Sequence, residues 1–146
     1  LWGEGWDFRW VWQSFLRGHN PIYMDRIVEF SPDPRGDIKG AEESRKVMGH
    51  IRRLAERVDL ARMTPHPELA SSTFCLADPG REYLAYLPKG GEVTVDLTAA
   101  SGKFRVVWIR PVEGSVTPVE NTLGGARRTL HAPSETDMVV HLTSLP

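Results

Sequence analysis

Apolar residues recur at two different periods in the two parts of the chain. From Trp6 to Arg17, the residues Phe8, Val11, Trp12, Phe15 and Leu16 return at steps of three and four, which describes one face of a helix. Gly18 and the Asn20-Pro21 pair end it, because glycine suits a left-handed C-terminal cap and proline turns its predecessor away from helix. A second helix is predicted from about 41 to 62, with Val47, Ile51, Leu54, Val58 and Ala61 as its buried stripe and Met48 and Ala55 alongside. Glu42 and Glu43 near its start, and Arg57 and Arg62 near its end, suit the helix dipole. Pro65 and Pro67 close it, and the loop over 31–40 that precedes it carries two prolines and two glycines.

Beyond Pro67 the period becomes two. Val93, Val95 and Leu97 alternate with Thr94, Asp96 and Thr98; Phe104, Val106 and Trp108 repeat the pattern, as do Met138, Val140 and Leu142 with His141 on the opposite side. Turn signals separate these runs, among them Asp78-Pro79-Gly80, Pro88-Lys89-Gly90-Gly91, Ser101-Gly102 and Gly124-Gly125. Short strands with no helix between them imply antiparallel connections and a sandwich or small barrel. About seven strands are predicted, over 72–77, 82–87, 92–98, 103–109, 115–119, 127–131 and 137–142.

The 146 residues amount to about one domain, and 40% apolar with 25% charged residues is the balance of a folded chain. A net charge of −1, spread evenly over the two halves, lacks the basic excess needed to hold a phosphate backbone, which argues against a nucleic-acid partner. No apolar run approaches the roughly 18 residues that span a bilayer, so no membrane partner is expected either. Two helices and a proline-rich loop leave the aromatic helix face with little to cover it. Residues 1–66 are therefore expected to pack on a partner surface absent from this sequence, or heavily on the strands.

Cys75 is the single cysteine, so neither a disulfide framework nor a thiolate cage can form, and its position in a strand suggests a buried, inert thiol. His19, His50, His66, His131 and His141 show no metal-ligand spacing, and there is no P-loop, GxGxxG, HExxH or GxSxG. Neither a metal nor a cofactor is expected, and no residue is assigned a catalytic role. Arg127-Arg128 reads as a solvated strand edge. Tyr83 and Tyr86 should point to opposite faces of their strand, while Phe104 and Trp108 share a buried stripe, which leaves no row of exposed aromatics for a ligand.

Chemistry could reside in Leu1-Trp2-Gly3-Glu4-Gly5-Trp6-Asp7, where two indoles, two carboxylates and two flexible glycines precede a helix. Flat indole faces suit the apolar face of a sugar ring and carboxylates suit its hydroxyls, which makes Trp2, Glu4, Trp6 and Asp7 candidate substrate-binding residues. The alternative is that Trp6 and Trp10 anchor packing and Asp7 caps the helix. Glu4 and Asp7 lie on one short loop and so are poorly placed to straddle a scissile bond. Asp25, in Asn20-Pro21-Ile22-Tyr23-Met24-Asp25, reads as a structural loop carboxylate.

Taken together, Leu1–Asp7, Trp10–Gly18, Asn20–Asp25, Arg45 with Met48-Gly49, and Ser72–Gly80 resemble the carboxyl-terminal region of apiosidase-like glycoside hydrolases. Glu82–Pro88 with Gly90-Gly91, and the Trp108…Pro111 strand end, resemble the sandwich appended to those enzymes, which is labelled a collagen-binding domain of a collagenase. The resemblance implies a fold class of α+β by segment: an N-terminal helical remnant of a (β/α)₈ barrel, then an antiparallel Ig-like β-sandwich of about seven strands. Residues 1–66 would be the end of the barrel (last βα loop, last helix, bridging helix), and 67–146 the accessory domain.

It implies further that this is the C-terminal portion of a carbohydrate-degrading enzyme. The sandwich would buttress the barrel, and the first loop would reach the rim of the sugar site. The acid/base and nucleophile carboxylates belong to earlier barrel strands, so the chain alone would not hydrolyse glycosides. Its partners would be the remainder of the barrel and a poly- or oligosaccharide. The different-class alternative is a non-catalytic carbohydrate- or collagen-binding module. Leu1, with no initiator Met or leader before it, suggests a piece of something longer, a processed product or one part of a complex, and an exported parent would suit polysaccharide degradation.

Overall fold

The computed structural model describes residues 7–22 and 41–146. Helix α1 spans Arg9–Leu16 and α2 spans Ala41–Ala55. Eight strands follow: β1 (Thr64–Pro65), β2 (Cys75–Asp78), β3 (Glu82–Leu87), β4 (Glu92–Asp96), β5 (Lys103–Ile109), β6 (Glu120–Leu123), β7 (Arg127–His131) and β8 (Met138–Ser144). Six of them form one antiparallel sheet in the order β1-β2-β3-β8-β5-β6, and β4 pairs with β7 in a second. The sandwich is therefore lopsided, six strands facing two.

Side-chain alternation divides the large sheet into two buried faces. Tyr83, Ala85, Leu87, Phe104, Val106, Trp108, Val140 and Leu142 point inward against Val93, Val95 and Leu97 of the β4 segment. The intervening residues Leu76, Leu84, Tyr86, Ile109 and Val139 point to the other face, where Val11, Trp12, Phe15 and Leu16 of α1 and Val47 and Ile51 of α2 cover them. Tyr83 and Tyr86 thus lie on opposite faces, as period two requires. The result is three layers, small sheet, large sheet and helix pair, with an apolar core on each side of the large sheet.

Much of the aromatic helix face is covered by the chain itself. Trp12 is fully buried and Phe15 is 7% exposed, both against this chain's own sheet. The expected packing of residues 1–66 on the strands is seen for α1. Phe8 and Trp10, at the edge of this contact, are half-buried. Gly18, at φ +75°, receives the end of α1: its amide bonds to the Phe15 carbonyl and that of His19 to Ser14.

Some boundaries differ from expectation. The second helix stops at Ala55, seven residues early, and the chain continues through turns, including Arg62 N–H to the Asp59 carbonyl. It must reverse there to lay Thr64–Pro65 beside Leu76–Ala77, a two-residue strand too short to be legible as alternation. Residues 115–119 are not a strand. Val116 makes one bridge to Ile109, Pro118 brings no N–H to a ladder, and regular pairing resumes only in β6. The strand expected from 72 starts at Cys75, because Thr73, at φ +61°, closes a turn onto Ala70.

Candidate functional site

Of the four candidate substrate-binding residues, Asp7 falls within the described part of the chain; Trp2, Glu4 and Trp6 lie outside it, as do Asp25 and the loop at 31–40. Asp7 is exposed and sits at the start of α1. Its Oδ1 accepts the Arg9 amide at 3.0 Å, which satisfies one of the unpaired donors of the first turn, and its Oδ2 accepts the Arg9 guanidinium at 2.9 Å. Asp7 thus stands one residue before the N-cap Phe8, bonded to the Arg9 amide, with its carboxylate left on the surface.

Arg9 reaches further. Its Nε forms an ion pair at 2.5 Å with Asp137, whose side chain is only 5% exposed at the foot of β8. Asp137 is saturated with donors: the Tyr86 hydroxyl at 2.9 Å and the Lys89 amide at 2.8 Å, in addition to Arg9. A buried carboxylate needs such partners to offset its desolvation. The hydrogen bond to Asp7, followed by the charge and hydrogen bond of Asp137, holds Arg9 more firmly protonated than a free guanidinium. Burial, reinforced by the bond to Asp137, pushes the Tyr86 phenol well above its ordinary range. A continuous polar line thus runs from the loop before α1, through Arg9 and Asp137, into the large sheet.

Asp137, Arg9 and Tyr86 were not among the candidates read from the sequence. One signal was available: Tyr86 faces away from the inner core, and a buried phenol on that side needs a polar partner. The identity of that partner, 51 positions away in sequence, carries no local pattern.

Other described polar groups pair within the fold or are buried in it. Burial, with a smaller push from Glu68, takes the Cys75 thiol up to about 12, so it is not a nucleophile. His141 meets Glu82 at 2.6 Å across β3 and β8, His66 meets Glu68 at 2.8 Å, and His50 bonds to the Val112 carbonyl at 3.0 Å. Among the described residues no group of three or more His, Cys, Asp or Glu side chains could hold a metal ion. An open, mostly apolar groove of about 390 Å³ lies beside α1 and α2, lined by Phe15, Pro21, Met48, Ile51 and Leu60. Tyr83, Tyr86, Phe104 and Trp108 are all buried, so these aromatics form no exposed platform on the strands. No described helix is long and apolar enough to cross a membrane.

The described residues thus form an asymmetric β-sandwich with a helix pair on its outer sheet face. Residues 69–143 match the family described as "Putative collagen-binding domain of a collagenase", and the chain belongs to that family. Among solved structures, a glycoside hydrolase family 5 protein from Bacteroides vulgatus ATCC 8482 superposes over 94% of this chain and 35% of its own, with a TM-score of 0.76 at 15% identity. A second structure, named simply a glycoside hydrolase, superposes over 95% of this chain and 36% of its own, with a TM-score of 0.71 at 16% identity. The chain thus spans about a third of the length of these structures, and at such identities the likeness is one of fold. No curated protein sequence matches the chain.

Proposed function

We propose that this chain is the C-terminal portion of a carbohydrate-degrading glycoside hydrolase. Residues 67–146 serve as the accessory sandwich that buttresses a catalytic (β/α)₈ barrel, and residues 1–66 supply that barrel's last loop, last helix and a bridging helix. The loop bearing Trp2, Glu4, Trp6 and Asp7 reaches the rim of the sugar site, where indoles stack on a sugar ring and carboxylates accept its hydroxyl hydrogen bonds. The finer assignment, to the apiosidase-like class, rests on the sequence stretches quoted above.

The observation that carries this reading is the extent of the structural likeness. It covers 94–95% of the chain, the helices as well as the strands, and in both cases the neighbour is a glycoside hydrolase of which this chain is about a third. The other two-thirds is where the catalytic carboxylate pair belongs, since barrel enzymes carry such groups at the ends of several strands. The test compares the 146-residue chain with the longer polypeptide implied here on a panel of aryl glycosides and polysaccharides. Hydrolysis by the longer protein alone is expected, with Trp2→Ala raising its KM or lowering its kcat. Hydrolysis by the short chain, or Trp2→Ala kinetics equal to wild type on every substrate, overturns it.

A second reading, a non-catalytic binding module, is favoured by the collagen-binding description of the family. Calorimetric titration of the chain with a triple-helical collagen peptide and with soluble glycans separates the two, because saturable heat without any need for the longer polypeptide belongs to this reading.

A further inference from the structure

We propose that Asp137 is a positioning residue that fixes Asp7, and with it the approach to α1, from inside the sandwich. The inference rests on the glycoside hydrolase reading for its consequence in catalysis, but not for its geometry. One guanidinium joins the two carboxylates: Arg9 Nη1 meets Asp7 at 2.9 Å while Arg9 Nε meets Asp137. The two ends of this link differ greatly in freedom. The Asp7 side chain is 54% exposed, whereas that of Asp137 is 5% exposed and is itself held by Tyr86 and by the Lys89 amide. Asp137 is therefore the fixed point and Asp7 the group that is placed.

A planar fork suits this task, because it directs two donors along set directions where an ammonium offers a single point of charge. A surface ion pair between Asp7 and Arg9 would by itself contribute little, since entropy and water oppose it. Anchoring the guanidinium on a buried carboxylate removes much of that freedom beforehand, as supporting residues do for the side chains of a binding site. The sandwich then does more than cover barrel surface: it sets where the candidate rim carboxylate stands.

Two measurements test this separately. In the 146-residue chain, Asp137→Asn and Arg9→Lys are expected to speed amide exchange at the start of α1 by about tenfold, with the amides of β5 and β8 unchanged. Arg9 is partly exposed, so its variant tests the link even if Asp137→Asn fails to fold. Unchanged exchange at α1, or acceleration spread evenly over the strands, overturns the proposal. In the longer polypeptide, Asp7→Asn and Asp137→Asn are expected to raise KM more than they lower kcat, and the double variant to be no worse than the poorer single one. Local acceleration at α1 with wild-type kinetics would leave the positioning role standing and overturn the assignment of Asp7 to the sugar-site rim.

Discussion

The indole N–H of Trp12 donates to the main-chain carbonyl of Pro111 at 3.3 Å, across 99 positions of sequence. This contact pins α1 to the far end of β5 and accompanies complete burial of the Trp12 ring. It is the clearest expression of how the helical segment belongs to the sheet, since the ring shares one buried cluster with Leu84, Ile109 and Val139.

Trp12→Ala is accordingly expected to cost about 3–5 kcal/mol, the range for removing a large aromatic side chain from a core. Trp12→Phe should cost less, because it keeps most of the apolar contact and leaves chiefly the Pro111 carbonyl without its donor, a loss of about 1–3 kcal/mol. Urea denaturation of the 146-residue chain measures both. A Trp12→Ala cost below about 1 kcal/mol would mean that α1 is not docked on the sheet as described.

Cys75 lies within β2, facing the inner core and almost completely buried. With its thiol pushed up to about 12, almost no thiolate exists at pH 8. A disulfide reagent such as DTNB is expected to label none of the native chain on the minute scale and one equivalent in denaturant. Rapid stoichiometric labelling of the native protein would contradict the burial of β2.

What was legible in the sequence follows the range of the physics involved. Alternation is a local signal, so the inward stripe of Phe104, Val106 and Trp108 and the opposed faces of Tyr83 and Tyr86 could be read directly. The spacing of Val11, Trp12, Phe15 and Leu16 likewise identified a helix face, but not what covers it, because Leu84 and Val139 lie far along the chain. Helix α2 was read too long because Val58 continues its stripe, although it belongs to a turn that leads into β1. Asp137 was passed over for a similar reason. It heads the strand expected over 137–142 with nothing local to mark it, and only the folded chain brings Arg9 and Tyr86 to it.

Asp96 gives the fold a pH dependence of definite sign. Hydrogen bonds from the Thr98 hydroxyl at 2.6 Å and amide at 3.0 Å, with Arg127 also at 3.0 Å, lower its carboxyl from 3.8 to about 2. A group whose pKa is depressed by folding stabilises the native state fully above its unfolded value, and that contribution is lost as pH falls through the folded one. The thermal midpoint of wild type should therefore decline between pH 4 and pH 2 more steeply than that of Asp96→Asn. Parallel curves for the two proteins over this window would refute the assignment.

The turn between β3 and β4 offers a comparison between adjacent glycines. Gly90 and Gly91 both have positive φ, +64° and +78°, so a side chain at either is strained by about 1–2 kcal/mol. They differ in what a Cβ would meet. At Gly91 there is nothing within 4 Å, whereas at Gly90 the atom would run into the main-chain carbonyls of Ser134 and Thr136. Main chain cannot rotate aside as a side chain can, so Gly90→Ala must push the 134–137 turn away and carry Asp137 off the Lys89 amide that it accepts at 2.8 Å. Gly90→Ala is expected to cost at least about 2 kcal/mol more than Gly91→Ala, the difference being overlap and a lost charged hydrogen bond rather than backbone strain common to both. Denaturation of the two variants side by side decides the matter, and equal losses would show that the two turns do not approach as closely as described.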